Sequence, residues 1–295
     1  MRPFLDGIAR KIVVPGITAA ALLAAGAAGA ANETPPIPTD GPALEAYSAQ
    51  QLALADGKLK EILAVKGTRT IENTLTPYNQ MSIALDVLGS TTGLMQEVHP
   101  VDGVRAAAEA AQQDVASFVT KLSLNRDLYD ALKAVDVSRA DVKTQYWMTK
   151  LLRDYRRSGV DRDEPTRRRI EALQDTLVKI GQNFDRNIRD GQRAILLDDA
   201  AQLDGLPQDF IEAHKPDAEG KIRLTTNYPD YIPFMTYAKD TESRRRIYME
   251  YQKRGNPENL KTLPELIDAR TALATTLGYK TWADYVTENK MIESS

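Results

Sequence analysis

The sequence predicts a mainly α-helical protein, with helices over most of 43–191 and 240–291 and only a few short β-strands near 194–237. Three observations carry this. Apolar side chains recur in steps of three and four along most of the chain, the spacing that gathers them on one helical face. Start and stop signals bracket those stretches: capping residues or prolines at the front, glycines just past the last apolar position. Alternation with period two is confined to Lys221-Ile222-Arg223-Leu224-Thr225, beside the short apolar run Ala194-Ile195-Leu196-Leu197.

In chain order, residues 1–30 stand apart. Arg2, Arg10 and Lys11 are basic, 12–27 is apolar and uncharged, and Ala28-Gly29-Ala30 has the small-residue form of a cleavage site. This reads as a secretory signal peptide, and implies a secreted or periplasmic protein. The alternative is an uncleaved membrane anchor, which an alanine-rich core serves poorly. Residues 31–42 hold four prolines and a glycine and read as a linker. A helical region is then expected over 43–160, and a second, with a small β insertion, over 161–295.

Within the first region, a helix over about 43–64 carries Leu44, Tyr47, Leu52, Leu59, Ile62 and Leu63. Thr76-Pro77 has the form of a cap and first helical residue, followed by Tyr78, Met81, Leu85 and Leu88 on one face. Gly89-Ser90-Thr91-Thr92-Gly93 lacks the lysine that a phosphate loop needs and reads as a helix-ending turn. After His99-Pro100, the inward positions Val104, Ala107, Ala108, Ala111, Val115, Phe118, Val119 and Leu122 define another helix. Leu128, Tyr129 and Leu132 give a short one. Ser138 or Asp141 starts a longer one through Tyr155 to Gly159.

The second region has the clearest periodicity. Asp163-Glu164-Pro165 opens a helix with Ile170, Leu173, Leu177, Ile180, Phe184 and Ile188 on one face and charges on the other, and Gly191 ends it. Strands are expected at 194–197 and 221–225. A third is expected at Tyr231-Ile232-Pro233-Phe234-Met235, with Pro229 and Pro233 at edge positions. Asp240 or Thr241 caps a helix through Tyr251. A further helix carries Leu260 to Leu277 with Gly278 just past it, and Pro264 should kink or restart it. Thr281 caps a last helix holding Trp282, Tyr285, Val286 and Met291.

The chain has 295 residues, no cysteine and a net charge of −3, which becomes −5 once the three basic groups and Asp6 of the first 30 residues are removed. Disulfides, thiolate metal sites and a cysteine nucleophile are excluded. The charge balance favours neither nucleic acid nor a membrane surface. The triplets Arg167-Arg168-Arg169 and Arg244-Arg245-Arg246 fall on predicted helices among acids and read as solvated faces. Asp198-Asp199 and Asp161, Asp163 and Glu164 lie at element ends, where capping explains them. Tyr228, Tyr231, Tyr237, Tyr248 and Tyr251 cluster in sequence; packing is the ordinary account, and contact with a bound peptide is the functional one.

The wording "RTIENTLTPYNQM", "RDYRRSGVD", "LDGLPQDFIEAH", "YPDYIPFMTYAKDTESRRRIYMEY" and "LIDARTALATTLGYKTWADYVTENKM" resembles the thimet oligopeptidase/neurolysin family of zinc metallopeptidases. The resemblance runs from about Arg69 to Met291. It implies a mainly helical amino-terminal lobe forming a channel wall, short unfolded peptides as substrates, and zinc in the full-length family protein. The family's HExxH element, two zinc-binding histidines one turn apart with a glutamate base, is not present here. The only histidines are His99 and His214, each predicted in a loop. No catalytic, cofactor-binding or metal-binding residue is therefore assigned, and this chain is expected to hold no zinc and to be inactive alone. A non-catalytic secreted helical module that binds peptide or protein is the alternative.

Overall fold

The computed structural model describes residues 38–292, which form eleven α-helices and one two-stranded sheet among the described residues. They fall into two units, one made of 38–179 with 267–292 and the other of 180–266.

The first unit begins with α1 (Gly41–Ala64), capped by the Asp40 carboxylate, with Pro42 in its first turn. A π-helical turn (Ile71–Leu75) runs directly into α2 (Thr76–Val98). The cap of this run is Thr70, whose hydroxyl and the Asn73 side chain reciprocally satisfy each other's backbone N–H groups. Thr76 is therefore the first residue of α2 and not its cap: helical turns already precede it and leave it no free N–H groups to satisfy. Tyr78, Met81, Leu85 and Leu88 are buried, as their spacing predicts.

Helices α1 and α2 both pack on α3 (Asp102–Ser123), whose Val104, Ala107, Ala108, Ala111, Val115, Val119 and Leu122 face inward. The segment Gly89–Gly93 lies inside α2 and does not end it. Its glycines admit α3: Gln112 Nε2 donates to the Gly89 carbonyl and, at 2.6 Å, to Thr92 Oγ1. A Cβ on Gly93 would meet that same Nε2 at 3.3 Å. Two short steps complete the bundle. Asn125 caps α4 (Arg126–Lys133), and Asp141 caps α5 (Val142–Ser158). The largest apolar cluster, including Ile62, Leu75, Met81, Leu88, Leu128 and Leu132, fills the space among these helices.

Gly159 ends α5 at φ 93°, and a Cβ there would stand 2.6 Å from Ile170 Cδ1, so a side chain is excluded on both counts. Helix α6 (Glu164–Asp190) follows, its first turn closed by Asp163 accepting from the Thr166 N–H at 2.9 Å. Of the six apolar positions on its predicted face Ile170 is buried and the other five are half-buried.

The second unit takes in the end of α6 and the antiparallel pair β1 (Ala194–Leu197) and β2 (Ile222–Thr225). Ile195 stands opposite Leu224 and Leu197 opposite Ile222, all four buried, while Leu196 and Arg223 point outward. A 3-10 turn (Ala200–Leu203) and α7 (Gln208–Ala213) connect the strands. The third predicted strand is a helix: 231–235 lies within α8 (Tyr228–Tyr237). Tyr231, Phe234 and Ala238 are the buried positions, a step of three and then four that only a helix satisfies. Pro229 falls in the first turn, where no N–H is needed, and the Pro229 carbonyl that Pro233 leaves without a donor belongs to an exposed residue.

Asp240 caps α9 (Thr241–Gln252), which packs on α8 and β1. Helix α10 (Glu258–Leu277) runs through Pro264 without the expected restart. Pro264 and Leu260, whose carbonyl loses its partner there, are both exposed, so water can serve that acceptor. The division between the units falls within α6 and within α10. In the first unit Leu273, Ala274 and Leu277 of α10 pack with Leu124, Ile170 and Tyr285, the last from α11 (Trp282–Thr287).

Candidate functional site

The two histidines come first, because any metal chemistry would rest on them. His99 caps the end of α2, and its Nδ1 accepts from the Val101 N–H at 3.2 Å. His214 ends α7, where its ring stacks on Phe210 with centroids 4.1 Å apart. Its Nδ1 meets the Phe210 carbonyl at 2.8 Å and its Nε2 meets Asp230 Oδ1 at 3.1 Å. Asp230 Oδ2 in turn accepts from the Thr225 N–H and hydroxyl. His214 thus joins α7 to α8 and β2, with both ring nitrogens in use. Among the described residues no three His, Asp or Glu side chains gather into a group able to hold a metal ion. The donor set present does not fit zinc, and no chemical step is derived through one.

His214→Phe keeps the stack on Phe210 and removes both polar contacts. We expect it to cost about 1–2 kcal/mol in urea unfolding. A loss near zero would show that the hydrogen bonds contribute nothing to the link.

The acidic pairs behave as element ends. Asp199 caps the 3-10 turn with Gln202, and Asp198 pairs with Lys221 across the strand connection at 2.5 Å. The arginine triplets are likewise local: Arg168 pairs with Glu164, Arg245 with Glu242, and Arg246 Nη2 donates to the Leu196 carbonyl at 2.7 Å.

The tyrosines form a cluster of their own. Helix α8 supplies Tyr228 and Tyr231, and α9 supplies Tyr248 and Tyr251. Tyr231 is buried, Tyr251 half-buried, and Tyr228, Tyr237 and Tyr248 exposed. The Tyr231 and Tyr251 rings stack at 3.9 Å and 12°. Arg254, in the turn after α9, lays its guanidinium 3.8 Å from the centre of the Tyr251 ring and 5.9 Å from that of Tyr228. The Tyr251 hydroxyl donates to that of Tyr228 at 3.4 Å. Burial, then the bond to Tyr228, pushes the Tyr251 phenol up to about 12 against the opposing effect of Arg254. Glu250, one of the two acids four residues from Arg254, bonds through its two oxygens to Arg193 Nε at 2.6 Å and Lys253 Nζ at 2.7 Å. Those two bonds hold its carboxyl below the usual glutamate range. Arg254 was not singled out from the sequence. The available signal was Tyr248, Tyr251 and Arg254 at steps of three, which brings an arginine onto an aromatic ring at a helix end.

Residues 234–295 match the model of Peptidase family M3. That segment covers the end of α8 and all of α9, α10 and α11. The chain is similar to the thimet oligopeptidase family over part of that family's length. It is 26% identical over 256 residues to a thimet-like oligopeptidase of Dictyostelium discoideum, covering 81% of this chain and 37% of that one. It is 26% identical to oligopeptidase A of Haemophilus influenzae (76% and 36% covered) and 27% identical to saccharolysin of Saccharomyces cerevisiae (77% and 33%). The chain thus spans about a third of the length of these curated relatives.

The expected secreted or periplasmic location is overturned. The relatives whose names carry a compartment are a probable cytosolic oligopeptidase A and an organellar, chloroplastic/mitochondrial oligopeptidase A, both of Arabidopsis thaliana. A basic, alanine-rich leader is a compositional signal, and export is not the only process that uses one. Residues 1–30, on which the expectation rested, lie outside the described residues. Among the described residues no helix is long and apolar enough to cross a membrane.

Proposed function

We propose that this chain is the peptide-contacting helical part of a zinc oligopeptidase of the M3 kind, acting on short unfolded peptides. The hydrolytic chemistry is left to an HExxH-bearing region of the sort its family uses. The observation that carries this is the M3 match over 234–295, which begins inside the helix that bears Tyr228 and Tyr231 and takes in the helix that bears Tyr248 and Tyr251. Exposed aromatic side chains beside an arginine offer area and hydrogen bonding at low cost in side-chain entropy, which suits extended peptides of varied sequence.

Amide hydrolysis by such enzymes needs a metal-activated water held at an open coordination position. The chain as given has no residue proposed for that role. We expect the purified chain, supplied with zinc, to leave short quenched-fluorescent peptides uncleaved while binding them. A chain extended by an HExxH-bearing region should cleave them in a chelator-sensitive way. Zinc-dependent turnover by the short chain, abolished by His99→Ala or His214→Ala, would overturn the assignment of the chemistry to another region.

A further inference from the structure

We propose that Arg254, seated on Tyr251 and flanked by Tyr228, is a receptor for a peptide carboxylate adjoining an apolar or aromatic side chain. Three features point to this. The guanidinium carbon lies 3.8 Å from the centre of the Tyr251 ring, and Tyr231 of α8 stacks on that same ring. A guanidinium resting on a ring has fewer orientations to lose, which lowers the entropy cost of a two-pronged hydrogen bond to a carboxylate. Its donors are also uncommitted to any acid: no carboxylate among the described residues pairs with Arg254, and its one protein hydrogen bond is from Nε to the Tyr251 carbonyl at 3.4 Å. Glu250, four residues away, is instead bonded to Arg193 and Lys253.

The third feature is the surround. Tyr228 is exposed and lies 6.3 Å from Tyr251, ring centre to ring centre, at 56°. The two rings form a corner against which an apolar side chain next to the bound carboxylate can lie. An arginine on an exposed salt bridge gains little from water. An arginine stacked on one ring and bordered by a second is partly desolvated, so its attraction for an anion is stronger. The carboxylate has two sources, a free C-terminus or an acidic side chain, and both present the same two oxygens.

The proposal deepens the peptide-binding reading above and rests on it. Calorimetric titration of the full chain tests it with five probes: acetyl-Ala-Ala-Phe as the free acid, the same peptide as its amide, acetyl-Asp-Ala-Phe-amide, benzoate and inorganic phosphate. The free acid is expected to bind about tenfold or more tighter than the amide, the scale of one charge-assisted hydrogen-bonded pair. Arg254→Met should abolish that difference. Arg254→Lys, which keeps the charge and loses the planar fork, should retain only part of it. Tyr237→Phe, on the same helix as Tyr228 but outside the corner, should leave it intact. Binding of acetyl-Asp-Ala-Phe-amide equal to that of the free acid shows that the site takes side-chain carboxylates as well as C-termini; binding equal to the neutral amide assigns it to C-termini.

Equal binding of acid and amide, unaltered by Arg254→Met, would overturn the receptor while leaving peptide binding in place. Arg254-dependent benzoate binding with no binding of any peptide would keep the carboxylate receptor and sink the peptide reading. Inorganic phosphate binding as tightly as the acid peptide would overturn the role of the two rings. Absence of binding by all probes would overturn the proposal outright.

Discussion

Phe234→Ala is expected to destabilise the 180–266 unit by about 3–5 kcal/mol, the usual cost of removing a fully enclosed ring. Phe234 is wholly buried, and the cluster around it includes Leu197 from β1, Ile222 and Leu224 from β2, and Ile247 from α9. No neighbouring helix can close the space without moving the sheet, so the cavity cost adds to the lost transfer free energy. Against a typical domain stability of about 5–15 kcal/mol, the variant would stand near its unfolding midpoint. Amide exchange across β1 and β2 should accelerate together. Tyr237→Ala, three residues on at an exposed position, should change stability by less than about 0.5 kcal/mol. If the two substitutions cost the same in urea unfolding, the packing described for α8 is wrong.

Arg157→Met is expected to cost about 2–3 kcal/mol and to loosen α11 before the rest of its unit. Arg157 is buried on α5. Its Nε donates to Glu288 Oε2 at 2.6 Å, its Nη2 donates to the Tyr285 carbonyl, and its guanidinium lies 5.1 Å from the centre of the Tyr285 ring. One side chain therefore holds the end of the chain's last helix to a helix more than a hundred residues earlier. Glu288 is half-exposed, so water relieves part of the charge that the substitution leaves behind, and the estimate sits below that for a fully enclosed pair. Burial raises the Glu288 carboxyl, but hydrogen bonds from Tyr279 and Arg157 outweigh it and leave the group below its ordinary value of 4.5. A depressed carboxyl contributes fully above that ordinary value, and its contribution fades as pH falls below it. Wild type should therefore lose α11 protection in acid over a range in which Arg157→Met shows a smaller change. Equal acid sensitivity in the two proteins would mean that the pair does not hold the helix.

Much of this was legible from spacing. The buried residues of α2 and α3 follow steps of three and four with few exceptions, and Asp141, Asp163, Asp240 and Thr281 cap the helices where their chemistry suggests. Both histidines sit at helix ends. What misled was local ambiguity. Tyr231-Ile232-Pro233-Phe234-Met235 is apolar at every non-proline position, so no period can be read within it, and its prolines suit a strand edge as well as a helix. The buried Ala238, which completes the helical step, lies outside that window. Thr76-Pro77 has cap chemistry, but a stronger cap six residues earlier had already started the helix. Arg254 is legible only in part: its step of three from Tyr251 can be read, but the rest of its setting depends on Tyr231, 23 positions away in the sequence, whose ring stacks on Tyr251 only once α8 and α9 pack.

A two-stranded sheet leaves open margins, and one of them is guarded. Leu196 is outward-facing on β1, and the carbonyl it turns away from β2 is taken by Arg246 from α9. An extended peptide seeking to add itself as a third strand would find its first acceptor occupied and a positive charge in its path. Recognition by backbone pairing is thereby disfavoured on that side. On the peptide-binding reading proposed above, a ligand on that side is gripped by its side chains and ends, which tolerates many sequences and leaves the chain free to let go.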